Sequence, residues 1–120
     1  MARDHRKLRV FERADRLALR VYHVTRGLPV EERYSLQSQI WRAAVSVPSN
    51  IVEGCARRTD KEYGRFINIA LGSAAEANYL LSVARRLNLL ATKSCLELER
   101  EYEILLRALN KLIAAIGDFE

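Results

Sequence analysis

Proline and glycine are scarce in this chain, at two and five residues in 120. So little turn material predicts a fold made of a few long regular elements. Cysteine is equally sparse: Cys55 and Cys95 stand forty residues apart. Two distant thiols do not have the spacing of a zinc site and read as free, half-buried cysteines. The two histidines, His5 and His23, are preceded three residues earlier by Ala2 and Arg20. Neither makes the Glu-x-x-His pair with which helical bundles hold metals. Both histidines are expected on or near the surface of the first helix. A Gly-rich phosphate loop is missing, and no nucleophile has an evident base. No catalytic residue, metal, cofactor or small-molecule substrate is therefore expected, and the protein reads as a non-enzyme.

Long apolar runs are also missing. No stretch approaches the ~18–20 apolar residues of a membrane span. The start, MARDHRKLRVFERADR, is basic and interrupted by acids, without the apolar segment of a secretory signal. A cytoplasmic protein without a membrane partner is expected.

What the chain does have is apolar content, 49% hydrophobic beside 29% charged residues, the balance of an ordinary globular domain. At 120 residues, a single domain over 1–120 can bury a proper core. Helical spacing of apolar residues appears four times. The first pattern, about 8–26, carries Phe11, Ala14, Ala18, Val21 and Thr25, flanked by Val10, Leu17 and Val24. Gly27 is placed to take a left-handed cap, and Pro29 prevents resumption. The second, about 32–56, carries Leu36, Ile40, Ala43, Ala44, Val47 and Ile51, with Gly54 a weak point near its end.

The third, about 60–88, opens at TDKE, where Thr59 and Glu62 form a capping box. Its stripe is Tyr63, Phe66, Ala70, Ala77, Leu80, Ala84 and Leu87, with Ser73 in the gap. The small residues of LGSAAEA let another helix approach closely at Gly72–Ala75. The fourth, about 94–116, has a second capping box in SCLE. A coiled-coil-like heptad seam of Leu98, Tyr102, Leu105, Leu109, Leu112 and Ile116 follows, which Gly117 can end. The fold class predicted is all-α, an antiparallel up-down-up-down four-helix bundle. The breadth of the last two stripes fits self-association and a thick monomeric core equally.

Within the second pattern, RAAVSVPSNIVEG places Pro48 inside a helix. It cannot donate to the Ala44 carbonyl and its ring crowds that oxygen, at a cost of about 3 kcal/mol. The stripe keeps its phase from Leu36 to Ile51, which predicts a kinked but continuous helix; a break at Ser46–Pro48 is the alternative. A polar row of Arg42, Ser46, Ser49/Asn50 and Glu53 runs beside it. Three readings stay open: a solvated face, a polar network between helices or subunits that uses Arg42, Asn50, Glu53 and Glu76, or a ligand site.

The net charge of +5 is lopsided. Residues 1–26 hold eight Arg/Lys against three Asp/Glu, whereas 27–120 hold twelve of each. Arg6, Arg9, Arg13, Arg16 and Arg20 recur at steps of three and four, which aligns them on one helical face if the helix starts early enough. Arg57 and Arg58, at the joint between the second and third helices, can extend that face.

The stretch LPVEERYSLQSQIWRAAVSVPSNIVEGCAR, followed by EYGRFINIALGSAAEANYLL, resembles the bacterial four-helix-bundle family associated with 23S rRNA intervening sequences. The matching elements are Leu28–Pro29, Glu32 through Ala43, Ser46 through Gly54, and Ala70 through Glu76. The first and fourth helices fit more loosely. The resemblance implies a small bacterial bundle that assembles as a ring-shaped homopentamer. It also implies kinship with the accessory variability determinant of diversity-generating retroelements, a partner of reverse transcriptase and RNA. Those members are strongly basic, whereas the excess charge here is modest and confined to the first quarter of the chain.

Two functions follow as expectations. In the first, an oligomer binds RNA or another polyanion through the first-helix arginines, which touch phosphates without reading sequence. The row is interleaved with Asp4, Glu12 and Asp15 and carries no stacking aromatics, so single-strand reading by base stacking is disfavoured. In the second, a structural or adaptor oligomer binds a protein partner and the charges only keep it soluble.

Overall fold

The computed structural model describes residues 3–117. Four α-helices carry the chain: α1 Arg9–Thr25, α2 Leu36–Cys55, α3 Asp60–Arg86 and α4 Thr92–Ile116. Short 3-10 turns at His5–Lys7 and Val30–Glu32 precede α1 and α2, and the described residues hold no strand. Each helix packs on two neighbours, α1 and α3 both lying against α2 and α4. Residue pairing across the seams runs in opposite senses. Arg3 meets Cys55 while Tyr22 meets Trp41; Ser46 meets Ser73 while Gly54 meets Tyr63 and Phe66. Arg13 faces Glu101 while Arg20 faces Glu97. The bundle measures 45 × 24 × 23 Å. Its long dimension is set by α3, whose 27 residues span about 40 Å at 1.5 Å each.

The apolar stripes turn inward, except at Leu87. Ala14, Leu17 and Val21 of α1 join Ile40, Val47 and Ile51 of α2 and Leu98, Leu105 and Leu109 of α4 in one core. Each large aliphatic side chain removed from water there contributes about 1.5–3 kcal/mol, which is the main source of stability. Thr25 is the buried polar member, its hydroxyl donating 2.7 Å to the Val21 carbonyl one turn back. Helix α3 buries more than its 3-4 rhythm indicates. Ile67, Ala74 and Leu81 are also fully buried, because α3 touches α2 on one flank and α4 on the other.

Helix α2 passes through Pro48 without a break, and the ring is buried in the core. The Asn50 side-chain amide donates to both the carbonyl and the hydroxyl of Ser46, at 2.8 and 2.9 Å. These bonds span the turn that contains the proline.

Several boundaries differ from expectation. The chain at 30–35 is not helical in the α sense: Glu32 donates to Pro29 in a tight turn, and its carboxylate accepts from the Ser35 hydroxyl. Helix α2 therefore starts at Leu36 rather than Glu32. Gly27 does not supply a left-handed cap to α1; its N–H simply donates to the Val24 carbonyl. Asn88, at φ 59°, takes the left-handed position after α3, and Leu87 is left outside the core, 61% exposed. The capping box expected at Ser94 and Glu97 does not form, because α4 starts at Thr92 with Ala91 before it. At Thr59 the cap does form, the Glu62 N–H donating 3.1 Å to its hydroxyl. Gly117 ends α4 at φ 88°, a backbone conformation few side-chain-bearing residues adopt.

The close helix approach also lies elsewhere than expected. A Cβ on Gly72 would meet nothing within 4 Å. A Cβ on Gly54 would sit 3.0 Å from Phe66 Cβ and 3.3 Å from Tyr63 Cδ1, so Gly54 is where α2 and α3 nearly touch.

Candidate nucleic-acid interface

Arginines 9, 13, 16 and 20 share one flank of α1, the flank that turns toward α4. Steps of four, three and four residues put them on one line about 16 Å long at 1.5 Å per residue. Arg9, Arg16 and Arg20 are exposed and Arg13 is half-buried. Around Arg9, Arg13 and Arg16, with Glu12, the surface forms an open groove.

Arg6 does not join this line. Leu8 is extended, at φ −92° and ψ 127°, so the His5–Lys7 turn is detached from the α1 helix. Arg6 instead grips Asp4, donating from its backbone and from Nε at 3.0 Å each and from Nη2 at 3.2 Å. That grip holds the Asp4 carboxyl below its ordinary range and raises Arg6. The expected five-arginine face is thus a four-arginine face with Arg6 beyond its end. His5 lies in the same turn, its ring edge-on to Phe11 at 4.7 Å, and His23 is exposed on α1.

Three carboxylates flank the row: Glu12, which the sequence places there, and Glu97 and Glu101 of α4, which the pattern did not single out. Glu101 lies 3.9 Å from Arg13, Glu97 lies 3.9 Å from Arg20, and Glu12 lies 3.7 Å from Arg16. Pairs this long and this exposed are worth about 0–1 kcal/mol each, so they screen the arginines without locking them. Arg9 has no carboxylate within 4 Å among the described residues. The signal was present in α4: positions 97 and 101 flank the heptad seam at Leu98, Tyr102 and Leu105, and flanking positions face the neighbouring helix.

Arg57 and Arg58 stand at the α2–α3 corner. The Arg57 guanidinium donates 3.2 Å to the Glu53 carbonyl and lies 5.3 Å from the Phe66 ring, whereas Arg58 is exposed. Arg3 brings the N-terminal segment to that corner through the Cys55 carbonyl. The two parts of the expected basic surface, Arg6 and the pair Arg57–Arg58, therefore meet at one end of the bundle. Aromatic side chains lie away from the arginine row. Tyr22, on the other flank of α1, sits edge-on to Trp41 of α2 at 5.1 Å, with Arg26 6.0 Å from its ring.

The polar row of α2 divides in two. Asn50 belongs to a half-buried network in which the Ser46 and Ser73 hydroxyls stand 2.8 Å apart across the α2–α3 seam. Arg42, Glu53 and Glu76 are exposed. Arg42 donates 2.8 Å to the Ser38 hydroxyl and forms no ion pair with Glu76, although both line the groove above Ser46 and Ser73. Of the three readings of this row, the network that pairs Arg42 with Glu76 does not form within the described residues. Short hydroxyls, not the charges, reach across this seam.

Both cysteines are free and fully buried rather than half-buried, and burial pushes both thiols up. Among the described residues no three His, Cys, Asp or Glu side chains are grouped to hold a metal ion. No helix of the described residues is long and apolar enough to cross a membrane.

Comparison with solved structures places a likeness over 87% of this chain and 97% of the other, at 23% identity and a TM-score of 0.80. That structure is described as a protein of unknown function from the S23 ribosomal protein family of Bacteroides thetaiotaomicron VPI-5482; at this identity the likeness is one of fold. No curated protein matches the chain. Residues 6–111 match the family described as 23S rRNA-intervening sequence protein, and the chain belongs to that family.

Proposed function

We propose that this protein is a non-enzymatic, oligomeric helical bundle of the cytosol that binds RNA or another polyanion through the basic face of α1. The observation that carries this reading is the row of Arg9, Arg13, Arg16 and Arg20 along one rigid helix, three of them beside weakly held carboxylates. Guanidinium groups suit phosphate, and a straight row without interleaved aromatics suits the backbone of a strand rather than its bases. Arg6, Arg57 and Arg58 extend the contact at the end of the bundle. Binding on these terms is sequence-independent and salt-sensitive.

Assembly strengthens such a contact, because each copy adds a row of its own. We place the subunit contact at the α2–α3 seam and take the assembly to be a ring of five. Arg42 and Glu76 support this placement: they are opposite in charge, exposed and unpaired with each other. The test of function is binding of labelled rRNA fragments by the native protein and by the Arg13→Glu/Arg16→Glu/Arg20→Glu variant. Binding by the first and none by the second is expected; equal binding refutes the assignment to α1.

A second reading, an adaptor that docks a protein partner, draws on a different observation. Tyr22, exposed on α1, sits edge-on to the half-buried Trp41 across the α1–α2 seam, and Leu19 of α1 and Val52 of α2 are exposed as well. Exposed apolar side chains fit a protein partner better than a polyanion.

A further inference from the structure

We propose that residues 3–8 form a strap that opens and closes as a unit over the α2–α3 corner, with Arg3 as its lock. The inference stands apart from polyanion binding and would hold if that binding failed. Arg3 makes three different contacts with the corner. Its backbone N–H donates 3.2 Å to the carbonyl of Cys55, the last residue of α2. Its guanidinium pairs with Asp60, the first residue of α3, and lies 4.0 Å from the centre of the Tyr63 ring.

The rest of the strap is bonded to itself or to α1. Asp4 closes the turn by accepting from Arg6, His5 leans on Phe11, and Leu8 rests against the edge of the core. Among the described residues, every hydrogen bond and ion pair from residues 3–8 to α2 and α3 belongs to Arg3.

Such a segment opens at low cost. The partner carboxylate of Asp60 is 72% exposed and so weakened by salt. Two buried side chains adjoin it, Tyr63 under the Arg3 guanidinium and Cys55, whose carbonyl Arg3 holds. Cys55 is 1% exposed and Tyr63 4% exposed. Closed, the strap holds Arg6 and Lys7 at the end of the bundle where Arg57 and Arg58 protrude. Open, it bares the Cys55–Tyr63 corner.

Cysteine reactivity reads the strap directly, because the chain carries its own reference. Cys95, fully buried near the start of α4, lies at the opposite end of the bundle. The native protein is treated with excess N-ethylmaleimide and the modification of each cysteine is followed by mass spectrometry of its peptide. Arg3→Ala is expected to raise the Cys55 rate by about tenfold, the combined weight of a cation–π contact and an exposed ion pair, while Cys95 stays unchanged. Asp60→Asn, which spares the ring contact and the backbone bond, raises it by a smaller factor. Added salt raises the Cys55 rate in the native protein and not in Asp60→Asn. An unchanged Cys55 rate in Arg3→Ala overturns the proposal. So does an equal rise at Cys55 and Cys95, which would mean that the corner opens only when the whole bundle does.

Discussion

Arg20 of α1 stands 3.9 Å from Glu97 of α4, close enough to feel the carboxylate and too far for a short, locked pair. Arg13 and Glu101 repeat the arrangement at the same distance further along the seam. A phosphate arriving at this seam competes with two glutamates that hold their arginines loosely. Removing the glutamates therefore strengthens anion binding with little effect on folding. Glu97→Gln/Glu101→Gln is expected to tighten binding of labelled RNA by up to about thirtyfold, each pair contributing up to about 1 kcal/mol. Fluorescence anisotropy measures the first effect and urea denaturation the second. Weaker binding by this variant would show that the α1–α4 seam is not where the anion lies.

Two of the helical glycines, Gly54 and Gly72, respond to alanine in opposite directions. Gly72→Ala fills open space on an exposed helix and gains about 0.5–1 kcal/mol. Gly54→Ala gains the same helical preference but drives a methyl against Phe66 Cβ, an atom held by the α3 backbone. Overpacking costs about 1–3 kcal/mol, so the net change is a loss of up to about 2.5 kcal/mol. Chemical denaturation of the two variants checks the pair, and stabilisation by both would remove Gly54 as the point of closest helix approach.

Much of this fold was legible from residue spacing. Ala14, Leu17, Ile40, Val47, Tyr102 and Leu105 all went where the 3-4 rhythm sends them, because burial of those stripes outweighs every local preference. The features that misled are short-range ones. A Ser94 cap is worth about 1 kcal/mol, less than the packing gained when α4 starts earlier, at Thr92. Arg6 fell off the arginine row because one extended residue, Leu8, rotates everything before it. The carboxylates that face the row come from α4, some eighty residues away in sequence. No pattern within α1 could have revealed them.

Tyr102 is fully buried, and its hydroxyl finds no hydrogen-bond partner among the described residues. Tyr102→Phe is expected to raise stability by about 1 kcal/mol, since an unsatisfied buried hydroxyl costs about 1–3 kcal/mol. Burial also pushes this phenol well above its ordinary value of 10.0, and raises the Tyr63 phenol and the Cys55 and Cys95 thiols. Each of these groups ionises more readily in the unfolded chain than in the fold. Stability is accordingly full below pH 9.0, the ordinary thiol value, and falls as pH rises through the thiol and then the phenol range. Thermal melts between pH 7 and 11 follow the decline, and it should be shallower above pH 10 in Tyr102→Phe. A flat profile would mean these groups are wetter than their burial indicates.

Charge reversal tests the proposed subunit contact. Light scattering of the native protein should give about five times the 13.8 kDa chain mass. Arg42→Glu and Glu76→Arg should each shift the mass toward the single chain, by setting like charges against one another across the seam. The double variant Arg42→Glu/Glu76→Arg should assemble again, because the new carboxylate on each copy then faces the new guanidinium on the next. Full assembly by either variant alone would move the contact elsewhere on the surface.

The salt dependence of RNA binding tests the central claim most directly. If the four arginines of α1 each displace a counterion from a duplex, log K should fall against log salt with a slope of about −3 to −4 per engaged row. The slope should shrink by about one when a single arginine of the row is replaced, as in Arg16→Gln. A native protein that shows no salt-sensitive binding at micromolar concentration would contradict the account.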